Sequence, residues 1–109
     1  MKIGIHALSY YVPNHYLPIE ALAEARNIEY AKLNKGLGLT SMSFHDVDED
    51  AASMGANAVV RLFESEALDP STVGRLYLGT ESALDSAKPT ATYILEMAER
   101  ALEAEHGSR

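Results

Sequence analysis

The chain has no cysteine, few basic residues and no long apolar run. Without cysteine its residues form no disulfide, no thiolate metal site and no thiol nucleophile. Nine lysines and arginines against sixteen aspartates and glutamates leave a net charge of −7, with no basic stripe. A general nucleic-acid binder needs such a stripe, so that class is set aside. No apolar run approaches the roughly 20 residues needed to span a bilayer. The opening MKIGIHALSYYV lacks the small-residue cleavage site of a signal peptide and contains His6 and two tyrosines, so it reads as a first strand. A cytoplasmic protein that crosses no membrane is the expectation. The four histidines, at 6, 15, 45 and 106, show no i,i+3 or i,i+4 pairing, and no metal site is expected. No GxSxG context marks Ser9, Ser41, Ser43 or Ser82 as a nucleophile. There is no internal repeat and no low-complexity segment.

What is present suits a folded domain. The 47% hydrophobic and 23% charged content of these 109 residues is ordinary for a globular protein. A domain of this size buries roughly 60–70% of its unfolded surface, enough for one modest core. Ile3 to Val12 is rich in β-formers and nearly continuous in apolar character, as in a strand covered on both faces. Pro13-Asn14 ends it, and Pro18 opens a helix over Ile19 to Arg26 with Ala21, Leu22 and Ala25 on one face. A second short helix over Ile28 to Lys35 is expected to stop at Gly36 in a left-handed conformation. Thr40 to Phe44 reads as a short strand.

Asp48 looks like an N-cap, with Glu49 and Asp50 in the first turn, where the helix dipole favours negative charge. The helix it starts has a stripe of Ala52, Gly55, Ala56, Val59 and Phe63, narrow enough for close approach to a neighbour. Asp69-Pro70-Ser71 breaks the chain before a strand over Val73 to Leu78. Pro89 starts the last helix, with Ala91, Ile94, Leu95, Ala98 and Leu102 as its buried stripe, and His106-Gly107 ends it. This order predicts an α/β arrangement with right-handed crossovers. Strands of buried character want neighbours on both sides, so residues 1–109 read as part of a larger sheet.

In open α/β sheets functional groups gather just past the carboxyl ends of strands. Glu81 stands three residues after Leu78, with Gly79 between, and is the candidate acid/base group. The competing reading is a solvated glutamate, or one that caps the next turn. If residues 81–85 were helical, Glu81 and Asp85 would share a face; Lys88 more simply neutralises Asp85 in a surface ion pair. Lys32 and Lys35 flank the turn Lys35-Gly36-Leu37-Gly38, where backbone amides and a lysine charge suit a phosphate. The alternative there is a helix end with dipole-matched lysines, and the GLG fragment is no dinucleotide fingerprint. The six tyrosines are scattered and read as structural.

Four stretches, GIHALSYYVPNHYLPIEALAEAR, KLNKGLGLTSMSF, DEDAASMGANAVV and above all GRLYLGTESALDSAK, resemble the N-terminal part of hydroxymethylglutaryl-CoA synthase, a thiolase-superfamily family. The resemblance runs over nearly the whole chain and implies the N-terminal portion of a thiolase-like, layered α-β-α domain. In the related chain-initiating ketoacyl synthases the segment matching Glu81 usually carries threonines without the carboxylate. The resemblance implies condensation of acetyl-CoA with acetoacetyl-CoA, two substrates and no cofactor, in the mevalonate route to isoprenoids. An acetyl group is loaded on a cysteine, Glu81 removes a proton from its methyl, the enolate attacks the ketone, and water releases the product. It also implies CoA contacts at Glu29, Tyr30 and Lys32, although Tyr30 and Leu39 depart from the small residue and the glutamine common there. A homodimer of the complete protein is implied as well.

The family's cysteine and histidine lie beyond the matched positions, so they are expected from a C-terminal remainder or a partner chain. Two other readings stay open. One is a relative that performs β-branching in polyketide assembly with a carrier-protein acetyl donor. The other is a non-catalytic interaction module on the same scaffold. The 109 residues alone are expected to show no condensation, and a polypeptide that supplies the cysteine and histidine is expected to restore it. A reconstituted pair with no activity would overturn that expectation.

Overall fold

The computed structural model describes residues 3–106, which divide into two compact units, one of residues 12–48 and one of the stretches on either side. In the first unit, β1 (His15–Pro18) pairs antiparallel with β2 (Ser41–Phe44), His15 opposite Phe44 and Pro18 opposite Ser41. β2 was expected within one residue of its bounds; β1 was not. The open end of the pair is closed by side chains. The His15 ring stacks on Phe44 at 5.4 Å, and its Nε2 lies 2.9 Å from the Asp46 carboxylate. That hydrogen bond is the main cause holding the Asp46 carboxyl below the usual aspartate range.

α1 spans Ile19–Arg26, as its sequence indicates, and ends on Asn27 in the left-handed region at φ 51°. The Ile19 N–H, an orphan donor of the first turn, is satisfied by the Thr40 carbonyl at 3.1 Å. The inward face is Ile19 and Ala23 with Leu22 beside them; Ala21 and Ala25 are exposed, contrary to expectation. The large Ile19 side chain, not the alanines, sets which way the helix faces.

The helix expected over residues 28–35 begins instead at Tyr30 and winds as a π-turn over Lys32–Gly36. Gly36 lies inside that turn, and the positive φ of 71° falls on Gly38. The cause is local. The Leu39 N–H donates to the Leu33 carbonyl at 3.2 Å, and Asn34 Nδ2 donates to the Leu39 carbonyl at 2.9 Å. Both bonds turn the chain back at Gly38, where a glycine meets no Cβ penalty.

In the second unit, α2 (Ala51–Glu66) is capped by Asp50, not Asp48. The Asp50 carboxylate accepts from the N–H groups of Ala52 and Ser53 at 3.0 and 2.8 Å, and Ser53 Oγ accepts the Asp50 N–H at 2.8 Å. A capping box needs a polar side chain three residues on. Ser53 supplies one for Asp50, whereas Asp48 would meet Ala51. Asp69 caps a short 3-10 turn over Pro70–Thr72, and α3 covers Thr90–His106 directly after Pro89.

α2 and α3 pack through Ala52, Ala56 and Ile94, with Val59, Leu76, Leu78, Tyr93 and Met97 around them. α3 turns Thr90, Ile94 and Ala98 inward and leaves Leu95 48% exposed, which corrects the expected stripe at that position. The strands expected over 3–12 and 73–78 do not form, and the only ladder among the described residues joins β1 to β2. Ile3, Ile5 and Leu8 are more than 80% exposed and His6 is exposed with them. Period-two alternation nonetheless persists at 76–78, where Leu76 and Leu78 rest on the α2–α3 core and Tyr77 is 80% exposed. A strand pattern without a neighbouring strand gives an extended chain and no ladder. Among the described residues no helix is long and apolar enough to cross a membrane.

Two substitutions test this packing with opposite signs. A Cβ on Gly55 would lie 2.6 Å from Ile94 Cδ1 and 3.2 Å from its Cγ1. Overpacking costs about 1–3 kcal/mol and helix propensity returns about 1 kcal/mol, so Gly55→Ala should destabilise by roughly 1 kcal/mol net. Ala67, the C-cap of α2, sits at φ 48°, where glycine is favoured. Ala67→Gly should therefore stabilise by up to about 1 kcal/mol. Denaturant midpoints of the two variants moving the same way would contradict this account.

Candidate functional site

The chain between Gly79 and Pro89 has no regular hydrogen-bonded structure, so side chains hold it. Thr80 Oγ1 accepts the Ser82 N–H at 3.0 Å and closes a small ring around Glu81. Asp85 Oδ1 accepts the N–H groups of Ala87 and Lys88 at 2.7 and 3.1 Å. Tyr93 on α3 donates its hydroxyl to Asp85 Oδ2 at 3.3 Å. Thr90 Oγ1 accepts the Leu84 N–H at 3.3 Å, and Thr90 is only 6% exposed. Four side chains thus hold the loop.

The two carboxylates part company here. Asp85 is consumed by the turn: bonds from Ala87 and then Lys88 N–H hold its carboxyl below the usual aspartate range, with Tyr93 and the Lys88 charge adding less. The expected Asp85–Lys88 ion pair is replaced by another arrangement. The Lys88 ammonium lies 4.2 Å over the Tyr93 ring, and it is the Lys88 backbone that bonds Asp85. Burial, then the nearby Asp85 charge, pushes the Tyr93 hydroxyl above the usual tyrosine range. Glu81 is exposed, and among the described residues no hydrogen bond or ion pair engages its carboxylate. The segment is not helical, so Glu81 and Asp85 share no helix face.

Beside the loop runs an open groove of about 280 Å³, lined among others by Leu78, Thr80, Asp85, Lys88 and Thr90. Pockets that enclose a drug-sized ligand measure roughly 300–1,000 Å³, so these residues by themselves do not enclose a large substrate. Glu29, Tyr30 and Lys32 lie together on one exposed turn of the other unit, where the Lys32 N–H donates to the Glu29 carbonyl at 3.0 Å. Lys32 opens the π-turn, a winding that is rare and often found at functional sites. Among the described residues no group of three or more histidines, cysteines or acids is placed to hold a metal ion.

Thr80 and Thr90 escaped the reading of the sequence. Thr80-x-Ser82 carries a detectable signal, since a threonine two residues before a free N–H makes an ST turn. Thr90 carries none, because its bond reaches back six residues to a loop whose path only the fold defines.

Residues 1–106 match the family model described as hydroxymethylglutaryl-coenzyme A synthase N terminal. The chain belongs to this family. The hydroxymethylglutaryl-CoA synthase of Haloferax volcanii is 40% identical over 94 residues, 86% of this chain and 20% of that relative. A synthase of Aspergillus fumigatus is 40% identical over 96 residues, covering 88% and 21% of the two chains. That of Enterococcus faecalis is 34% identical over 94 residues, covering 86% and 24%. The chain therefore spans about a fifth of the length of the relatives it matches. A solved MvaS in complex with 3-hydroxy-3-methylglutaryl coenzyme A superposes with a TM-score of 0.79 at 40% identity, over 91% of this chain and 24% of that one. A synthase complexed with CoA gives 0.65 at 28% identity, over 88% and 24%. These neighbours bear out the expected fold class, the N-terminal part of a thiolase-like α/β arrangement.

In this synthase segment the Asp85 turn makes a pH prediction. Its folded pKa lies below the unfolded value of about 3.9, so its contribution to stability is present above that pH and is lost as pH falls through the folded value. A carboxyl-carbon NMR titration should place Asp85 below the usual aspartate range, and Tyr93→Phe should move it slightly upward. Asp85 titrating within the usual aspartate range would contradict the geometry.

Proposed function

We propose that this synthase segment supplies the general acid/base, Glu81, for condensation of acetyl-CoA with acetoacetyl-CoA to form hydroxymethylglutaryl-CoA. The observation that carries the reading is the sorting of the two carboxylates. Asp85 is bound into the turn, whereas the Glu81 carboxylate, on a braced bend just past Leu78, has no partner among the described residues. An unengaged carboxylate on a held backbone is what proton abstraction from a thioester methyl requires. The turn of Glu29, Tyr30 and Lys32 takes part of the CoA moiety, with the Lys32 ammonium matched to a phosphate. The bound CoA compounds named for the two solved relatives support a CoA thioester as the ligand class.

The thiol that carries the acetyl group comes from outside these 109 cysteine-free residues, together with a histidine, from the rest of the synthase or a second chain. The complete assembly is a cytoplasmic homodimer that serves the mevalonate route to isoprenoids. The exposed apolar segments 3–10 and 73–77 suit burial against that remainder.

Glu81→Gln in the complete protein separates the steps. Acetylation of the thiol by acetyl-CoA should persist, while condensation should fall by about 10²–10⁴-fold. Full turnover in the variant would remove Glu81 from the mechanism.

A further inference from the structure

We infer that Thr80 is a positioning residue for Glu81, with Thr90 holding the far side of the same loop, an assignment that rests on the reading of Glu81 as the condensing base. Neither ladder nor helix fixes the backbone at Glu81. A base that must meet one methyl group needs its Cα held, since a misplacement of about 1 Å can cost as much as about 100-fold in rate. Thr80 Oγ1 accepts the Ser82 N–H at 3.0 Å, and the ring so closed contains both peptide groups of Glu81. Thr90 supplies the second anchor. It is buried at the start of α3, and its Oγ1 accepts the Leu84 N–H at 3.3 Å. α3 in turn is fixed on α2 through Ile94. The constraint therefore runs from the α2–α3 core through Thr90 to Leu84, and Thr80 completes it beside Glu81. In both positions the hydroxyl oxygen matters as an acceptor. Valine has nearly the shape of threonine and lacks that acceptor, whereas serine keeps it.

The test uses the complete synthase that carries this segment, with acetyl-CoA and acetoacetyl-CoA as probes. Thr80→Val should lower kcat for condensation by about 10- to 100-fold, with KM, thiol acetylation and melting temperature unchanged, and Thr80→Ser should restore the rate. Thr90→Val should act in the same direction. A Thr80→Val enzyme with wild-type kcat, or one whose acetylation and melting temperature fall along with condensation, overturns the inference. If Thr80→Val fails to fold, Thr90→Val decides: a loss confined to condensation supports the positioning role, and a uniform loss or none refutes it. Glu81→Gln in the same assay keeps the two readings apart. Should it collapse condensation while Thr80→Val does not, only the positioning role falls; should it keep full turnover, the base assignment falls and takes Thr80 with it.

Discussion

The close approach of Gly55 to Ile94 is the contact on which the second unit rests. A Cβ at position 55 would meet Ile94 Cδ1 at 2.6 Å, so glycine lets α2 and α3 lie at this separation without displacing the Ile94 side chain, and Ala52 and Ala56 keep the same face shallow. Ile94 fills the space that the small residues leave and is 2% exposed. Dispersion and apolar burial concentrate at this seam, where Ala52, Ala56 and Ile94 are buried and Val59, Leu76, Leu78, Tyr93 and Met97 pack against them. Leu76 and Leu78 settle on the seam from one side and bring the chain to Gly79. From there the loop with Glu81 begins.

A core this small leaves the loop's order to polar contacts. Backbone groups that neither ladder nor helix satisfies must find side chains or water. Thr80, Asp85 and Thr90 together take the N–H groups of Ser82, Ala87, Lys88 and Leu84, so the loop is a set of side-chain caps laid end to end. Each acceptor that serves the backbone is withdrawn from chemistry. By that accounting Glu81 is the acid left over in GRLYLGTESALDSAK, and the distinction from Asp85 is made by hydrogen bonds rather than by burial.

The helices were legible in the sequence where periodicity and end signals agreed. Pro18 marked the start of the helix over Ile19–Arg26, and Pro89 that of the last helix. The cap of α2 falls two residues later than expected because Asp48 and Asp50 are both cap-forming residues, and the reciprocal Ser53 bond selects Asp50. The strands at 3–12 and 73–78 carried a true apolar pattern without a partner among the described residues, and a pattern does not say who pairs with it. Gly36 misled because the π-winding carries the chain past it to Gly38. The motif singles out Glu81 as a candidate, while nothing in the sequence marks the Thr90 contact that holds its loop. Thr90 acts across six residues, at a distance that only the packed α3 defines.

Local order and apolar exposure coexist in the same unit, and the combination bears on how the site is built. Side chains of the same unit take the N–H groups of Ser82, Leu84, Ala87 and Lys88, so the loop around Glu81 is held in part from within the unit. The groove beside it is open, and the extended segments that flank the core show Ile3, Ile5, Leu8 and Tyr77 to solvent. Apolar side chains in extended chain gain most from a further strand, which would satisfy the backbone and cover the side chains in one step. Such a strand would also desolvate whatever carboxylate stands at the end of the segment, and desolvation sharpens a base only if its backbone is already placed. Bracing and burial are thus separate requirements, and these residues meet the first from within their own sequence.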